Sequence, residues 1–470
     1  MRPLEILIPS LLGLYLLWLM GNSALPLALR ILPALALLAT LLQLITERYR
    51  WQMVPLYSMS GIIFVGSWLN WVNGGSMHPS ALSFAGLALG FLLLVAATTL
   101  PALLPVPRVP APTGPYKVGT VTYVLVDETR RELYSAKDEP RRFIIQIWYP
   151  ASPRPGDHPA PWMPNPRIVA RAISRWIRMP RFFLDHLSLS QTHSYEDAPL
   201  DRSGAPYPVL VFSHGWGGIR SQNTYQTQEL ASHGYVVAGM EHPYGSAVTL
   251  FPDGLAIYNN PAALPHDGPE AEYPVAARKL VDQWAGDLGF GLGHLASLNE
   301  ADPAGLFNGA LDLEKTGLFG HSTGAAAVVQ FCGTDPRCKA GFGEDIYMTP
   351  VSEAVAEAGV PQPFSFMFSQ IWADDKESEN NRLFHQFEQR LSAPHTVMHI
   401  LGTAHYDFTD LPALSPLAHA LGLKGPIRGA RVQRIVNDYS LAFFDQHLLG
   451  RSSDLLEGPS PGHPEVIFDS

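Results

Sequence analysis

Cysteine is nearly missing from this chain of 470 residues: Cys332 and Cys338 are the only two. Two cannot build a disulfide framework. One local bridge in an oxidising compartment stays open, but two unpaired thiols are the preferred reading. No Cys/His array has zinc-site spacing and no calcium-loop pattern occurs, so neither a metal nor an organic cofactor is expected. Basic residues are scarce as well. Lys and Arg number 32 against 42 Asp and Glu, for a net charge of −10. With no basic block, nucleic acid is excluded as the main partner. The scarcity is uneven. Residues 1–110 hold no Asp and no Lys, only five Arg and two Glu, a net +3 that leaves −13 for the rest.

What fills those first residues is hydrocarbon. Apolar runs cover Leu4–Met20, Leu25–Ile45 (interrupted by Arg30 and Pro33), Met53–Val72 and Ala81–Leu100. A bilayer core takes about 20 apolar residues per helix, so each run is near spanning length. A signal peptide would account for the first run alone. Four transmembrane helices over residues 1–105 are therefore expected, in a multi-pass membrane protein. Gly86 and Gly90 form a Gly-x-x-x-Gly pair that could pack a helix closely or stand there by chance. Arg2, Arg48, Arg50, Arg108 and Lys117 fall on one side if there are four spans. That places both termini and the soluble region in the cytoplasm. Three spans would move it to the outer face.

Residues 106–115 are a Pro-rich linker, after which short β-rich runs alternate with helical stretches. The strands read as Val121–Val126, Phe143–Tyr149, Val209–Ser213, Tyr235–Met240, Thr316–Phe319, Ala340–Gly343, Phe364–Phe368 and Val397–Leu401. This predicts an α/β domain over 116–450 with a mostly parallel sheet and an insertion around 155–200. Within the insertion, Arg167–Met179 is amphipathic. Arg167, Arg171, Arg175 and Arg178 share one quarter of the circumference, and Ile168, Ala172, Ile173, Trp176, Ile177 and Met179 fill the opposite half. It suits an anionic membrane surface or, equally, a helix packed on the domain. A helix over Pro274–Asp287 is expected in the segment 244–312, which is assigned no chemistry. The tail 451–470 reads as disordered.

Chemistry concentrates at Gly320-His321-Ser322-Thr323-Gly324, between a strand and the helical run Ala325–Val329. A strand, a sharp turn and a helix lift a serine hydroxyl above a sheet, and the glycines clear the turn. Ser322 is the candidate nucleophile and needs a base. His405 follows the last strand and is the candidate; His399 lies inside the strand, and His385 and His395 read as surface. For the acid that orients His405, Asp345 competes with Asp374 and Asp375. Glu344 should point away from Asp345. The strand Val209–Ser213 runs into His214-Gly215-Trp216-Gly217-Gly218, a Gly-rich oxyanion loop. The backbone N–H groups of Trp216 and Thr323 are the candidate donors, and His214 braces the loop.

Several segments together resemble the platelet-activating factor acetylhydrolase family of plasma and intracellular type II enzymes with their bacterial relatives. They are Pro208–Gly217, Leu230–Ala238, Glu241-His242, the Gly-His-Ser-x-Gly elbow, Asp345–Pro350 and Gly402–His405 followed by Phe408. The likeness covers roughly 115–410. It implies an α/β-hydrolase fold and calcium-independent hydrolysis of short or oxidised sn-2 acyl phospholipids. It also implies Asp345 as the acid, with Trp216 and Thr323 as oxyanion donors. The four spans, which the animal enzymes lack, suit a bacterial-type member held in the inner membrane. Thr323-Gly-Ala-Ala departs from the aromatic residue and paired glycines usual in the family, which puts the acyl pocket in doubt. The expected substrate is therefore a lipid or other amphiphilic ester. A generic carboxylesterase or lipase is the nearest alternative. An inactive membrane scaffold would have no need of a complete Ser, His and acid set.

Overall fold

In the computed structural model, the run Tyr207–Ser213 is a strand buried along its whole length. It therefore has to be covered on both faces, which an apolar run without alternation demands. Val209 and Val211 pack in one core cluster with Leu318, Leu280 and Leu288. Leu210 and Phe212 pack in a second with Phe319, Tyr439 and Phe444. The structure describes residues 1–20, 26–73, 84–265 and 272–469. They divide into two units: Met1–Pro107 with Phe182–Ser190 and Leu414–Leu417, and the remainder.

The larger unit is built on an eleven-stranded sheet. Its strands are β1 Lys117–Arg131, β2 Pro140–Ala151, β3 Pro159–Pro161, β4 Gln191–Glu196, β5 Tyr207–Ser213, β6 Val236–Glu241, β9 Leu311–His321, β10 Ala340–Glu344, β11 Phe364–Ser369, β12 His395–Ile400 and β13 Val466–Phe468. A separate hairpin pairs β7 Val248–Leu250 with β8 Ala256–Tyr258. The sheet order is β13-β12-β11-β10-β9-β5-β6-β2-β1-β4-β3. The six strands from β6 to β12 run parallel. The mostly parallel α/β sheet expected from the sequence is present. In parallel sheets the loops at the carboxyl ends of the strands gather on one edge, where sites form.

The helices of this unit are α5 Pro166–Trp176, α6 Thr224–Ser232, α7 Tyr273–Ala301, α8 Thr323–Cys332, α9 Glu353–Ala358, α10 Gln370–Asp374, α11 Glu379–Glu388 and α12 Gly429–Leu449. Helices α7 and α8 cover one face of the sheet, α6 and α12 the other. The expected helix Pro274–Asp287 is the first half of α7, which continues to Ala301 because Leu288, Leu292, Leu295 and Leu298 extend its buried stripe. Helix α5 buries Val169, Ala170 and Ala172 and leaves its arginines exposed, along with Ile168.

Two expectations fail here. The tail is not disordered: Val466–Phe468 adds an antiparallel edge strand to β12, with Met398 opposite Phe468. Leu456, His463 and Val466 are buried and anchor a segment whose polar composition hides them. The cysteines are not free thiols: Cys332, at the end of α8, is bridged to Cys338, just before β10.

In the smaller unit each apolar run holds a helix: α1 Pro3–Met20, α2 Leu32–Thr46, α3 Val54–Val72 and α4 Phe84–Leu103. The starts of the second and fourth runs, at Leu25 and Ala81, lie outside the described residues. Only two of these helices, α1 and α4, are long and apolar enough to cross a membrane. The expectation of four such helices is corrected accordingly. Helix α2 has 15 residues, about 22 Å at the rise of an α-helix against a bilayer core of about 30 Å. Helix α3 is longer but carries Ser58, Ser60, Ser67 and Asn70, which lower its apolarity. A Cβ at Gly90 would meet nothing within 4 Å, so no helix among the described residues packs closely there. Arg50, counted above as a topology signal, is buried. Its guanidinium holds Glu5 through two bonds of 2.7 and 2.6 Å and the Leu104 carbonyl at 2.7 Å.

Candidate active site

Strand β9 ends at His321, and α8 begins at Thr323. Between them Ser322 takes φ 57° and ψ −122°, a strained backbone for a residue with a side chain. The strain is held by neighbours. The Ser322 N–H donates to the Glu344 carbonyl at 2.9 Å, tying the turn to the end of β10. A Cβ on Gly324 would sit 2.1 Å from the Ser213 carbonyl oxygen, so only glycine lets α8 start this close to β5. Ser322 thereby opens onto a cavity of about 740 Å³, which His405 and Trp216 also line.

His405 stands in a short turn after β12. Its Nδ1 lies 3.0 Å from Asp345 Oδ2. Asp345 is buried and follows β10 with φ 41°, a second left-handed turn that swings its carboxylate toward β11. There the Ser369 N–H and Oγ–H donate to it at 2.5 and 2.7 Å. Asp374 and Asp375 are exposed beyond β11, and Asp374 accepts from Gln370 instead. The geometry thus brings Asp345, not the other two, to His405. Trp372 stacks on the His405 ring, centroids 4.6 Å apart at 7°. From below, His321 Nε2 donates to the His405 carbonyl at 3.0 Å while Gln222 Nε2 donates to His321 Nδ1 at 3.1 Å. Burial and the nearby His405 keep His321 well below the usual histidine range, so it stays neutral in this wiring.

Glu344, the last residue of β10, does point away from Asp345, toward Asn223 and Gln226. It is fully buried and accepts from Asn223 at 3.0 Å and Gln226 at 2.7 Å. Burial pushes its carboxyl up to about 8 despite those two bonds, so it carries its proton at neutral pH.

The Gly-rich loop after β5 is braced from behind. His214 Nε2 accepts from the His242 N–H at 3.2 Å. Its proton therefore sits on Nδ1, which donates to the Gly215 carbonyl at 2.7 Å. The Gly218 N–H donates to the same carbonyl at 2.9 Å. In a trans peptide the N–H points opposite to the C=O, so pinning the Gly215 carbonyl aims the Trp216 N–H away from the brace. Thr323 is the first residue of α8, whose N–H no helical carbonyl reaches.

Behind this loop lies a second Ser–His–Asp set that the sequence reading missed. Ser213 Oγ is 3.0 Å from His242 Nε2, and His242 Nδ1 is 2.9 Å from Asp287 Oδ2. All three side chains are buried. Burial alone would raise the Asp287 carboxyl, but Arg141 and His242 hold it well below the usual range. No substrate can reach this set, and its role is to fasten α7 to the ends of β5 and β6. The segment 244–312 does reach the cavity, through Leu264, Tyr273 and Pro274. No pattern marked them, since each is an ordinary apolar or aromatic residue. His399 is occupied by Asp469 at 3.0 Å, and the exposed His385 by Glu388.

The family described as platelet-activating factor acetylhydrolase, isoform II, matches residues 104–257 and 298–457. The chain belongs to this family. A platelet-activating factor acetylhydrolase of Cavia porcellus is 27% identical over 72% of this chain and 78% of its own length. An Arthroderma benhamiae protein named a probable 1-alkyl-2-acetylglycerophosphocholine esterase is 25% identical over 76% of this chain and 93% of its own. Among solved structures, a ferulic acid esterase from Streptomyces cinnamoneus matches with TM-score 0.64 and 26% identity. It covers 78% of this chain and 100% of its own. This acetylhydrolase-family chain is a carboxylic ester hydrolase on the α/β-hydrolase fold.

Proposed function

We propose that Ser322, His405 and Asp345 form the catalytic triad, with the Trp216 and Thr323 N–H groups as the oxyanion hole. The observation that carries this is the His405–Asp345 bond of 3.0 Å at the cavity onto which the strained Ser322 opens. His405 takes the Ser322 proton as the hydroxyl attacks an ester carbonyl. The two N–H groups stabilise the oxyanion, and His405 returns the proton to the leaving alcohol. Water activated by His405 then hydrolyses the acyl-enzyme. Asp345 holds the imidazole with its proton on Nδ1. The substrate is an amphiphilic ester, a phospholipid with a short sn-2 chain such as the acetyl group in the names of the relatives.

A fluorophosphonate probe tests the chemistry. Labelling of the wild type and none of Ser322→Ala is expected, and no labelling of folded wild type would sink the proposal. Acyl length tests the substrate. Release of long chains from phosphatidylcholine as fast as acetate would favour a general carboxylesterase. The esterase neighbour and the Thr323-Gly-Ala-Ala departure speak for that second reading.

The N-terminal helices make the protein multi-pass in this reading, and α5 lies against the lipid surface. With α1 and α4 as the two spans, the hydrolase shares the face of the N-terminus, the cytoplasmic one expected from the sequence. The Cys332–Cys338 bridge favours the opposite face, because such bridges persist in oxidising compartments. Protease protection in sealed vesicles separates the two.

A further inference from the structure

Attack on an ester engages two loops at once. The Gly-rich loop after β5 supplies the Trp216 N–H, and the turn His405–Phe408 supplies the base. A misplacement of about 1 Å between groups that act together can cost about 10²-fold in rate. The two loops come from distant parts of the chain, so something must hold their spacing.

One side chain spans them. Gln222 lies between the Gly-rich loop and α6 and lines the cavity next to His321. The Gly215 N–H donates to Gln222 Oε1 at 3.3 Å. Gln222 Nε2 donates to His321 Nδ1 at 3.1 Å, and His321 Nε2 donates to the His405 carbonyl at 3.0 Å. The direction of each bond is forced. A carbonyl only accepts, so the His321 proton sits on Nε2. Nδ1 can then only accept, which turns the amide NH2 toward it and leaves Oε1 for Gly215. Burial keeps the His321 ring neutral, as this wiring requires.

Neighbouring bonds fix where the amide stands. Its NH2 also donates to Asn223 Oδ1 at 3.2 Å, and the Gln222 carbonyl accepts from the Asp410 N–H at 2.9 Å. Asn223 donates to the Phe408 carbonyl at 2.9 Å. The turn His405–Phe408 is thus held at its first residue through His321 and at its last through Asn223. The His321 ring also lies against that of His405, centroids 4.5 Å apart.

We infer that Gln222 is a positioning residue for the hydrolysis: together with His321 it sets the distance between the loop that carries the Trp216 N–H and the turn that carries His405. It acts through groups that meet the substrate. The inference rests on the triad and oxyanion-hole reading and adds the element that keeps the two in register.

The test is a double-mutant cycle on the full chain in neutral detergent, with p-nitrophenyl acetate as substrate. Gln222→Met keeps the length of the side chain and loses both bonds. Its kcat should fall about 30-fold, less than the roughly 10²–10³ that a lost oxyanion donor costs, with KM within about twofold of wild type. His321→Leu should also lose kcat. The double variant should be no worse than the worse single one, because both changes break the same bridge. Gln222→Asn keeps the amide and shortens it by one methylene, so polarity remains while the span fails. Its kcat should fall as for methionine, and it decides alone if Gln222→Met does not fold. Wild-type kcat in Gln222→Asn, a loss that falls mainly in KM, or effects that multiply in the double variant would overturn the inference. Ser322→Ala keeps the two failures apart. If it hydrolyses the ester as fast as wild type, the triad reading itself falls. If it is inactive while Gln222→Asn is unimpaired, only the bridge is refuted.

Discussion

Replacing Asp345 with asparagine isolates the step that sequence left open. The carboxylate holds His405 Nδ1 at 3.0 Å with Oδ2 and takes two donors from Ser369, one on each oxygen. Asparagine is nearly the same size, so packing around this buried position is preserved. It has one oxygen where the carboxylate had two. Ser369 supplies two donors and claims that oxygen, which turns the amide NH2 toward His405. An NH2 can only donate, so Nδ1 must give up its proton and Nε2 takes it. The imidazole then cannot accept the Ser322 proton. A wrong tautomer in such a triad costs about 10⁴ in kcat, or about 5.4 kcal/mol of transition-state stabilisation. Steady-state hydrolysis of a 2-acetyl phospholipid, with thermal melting as a fold control, measures this. KM should move little, since the ground state does not use the proton. Asp375→Asn, at an exposed position, should stay within about twofold of wild type. If Asp345→Asn kept a tenth of the activity while Asp375→Asn lost it, the proposed triad would be wrong.

Other outcomes follow from the packing. Gly324→Ala puts a methyl 2.1 Å from the Ser213 carbonyl, so probe labelling of Ser322 should collapse even where some folded protein is recovered. Glu344, held up to about 8, keeps its proton in the fold but loses it near the ordinary value when unfolded. Stability should therefore fall as pH rises from about 4.5 to 8, by up to about 1.4 kcal/mol per unit, and melting of Glu344→Gln should show a flatter profile. Arg50→Leu removes one of the two guanidiniums that hold the buried Glu5 and leaves Arg2 in place, so the full chain should lose about 1.5–3 kcal/mol by detergent-phase denaturation. A Cys332→Ser/Cys338→Ser pair frees a short loop and should cost about 2 kcal/mol, seen as a lower melting temperature.

The readable parts of this protein are those fixed by local rules. A continuous apolar run such as Val209–Ser213, followed by glycine, can be little else than a buried strand feeding a loop. The elbow at Ser322 and the placement of His405 belong to the same class, because the chain itself puts each at a strand end. The acid is different. Asp345 reaches His405 only through its left-handed φ of 41° and the Ser369 anchor 24 residues away. Nothing local distinguishes it from Asp375, so the family likeness had to decide. Tyr273 and Leu264 join the cavity through long-range packing that leaves no periodic trace. Charge, too, misled where tertiary structure reused it: Arg50 looked like a flanking cation and is a buried partner of Glu5. The membrane count was legible as apolar runs, but not as helix lengths, which depend on where each run is capped.

The buried Ser213–His242–Asp287 set has a use at the bench. Among the imidazoles that bond a carboxylate through Nδ1, those of His242 and His405 do so at 2.9 Å and at 3.0 Å. Both ring protons should resonate far downfield in a proton spectrum. One is sealed from water, the other faces a cavity that substrates enter. The His242 signal should persist at slow exchange across pH, while the His405 signal should broaden with solvent exchange and move when an inhibitor occupies Ser322. The protein thus carries its own internal standard, in which the same His–Asp pair, bonded through Nδ1 in both places, separates what the hydrogen bond does by itself from what access to solvent adds.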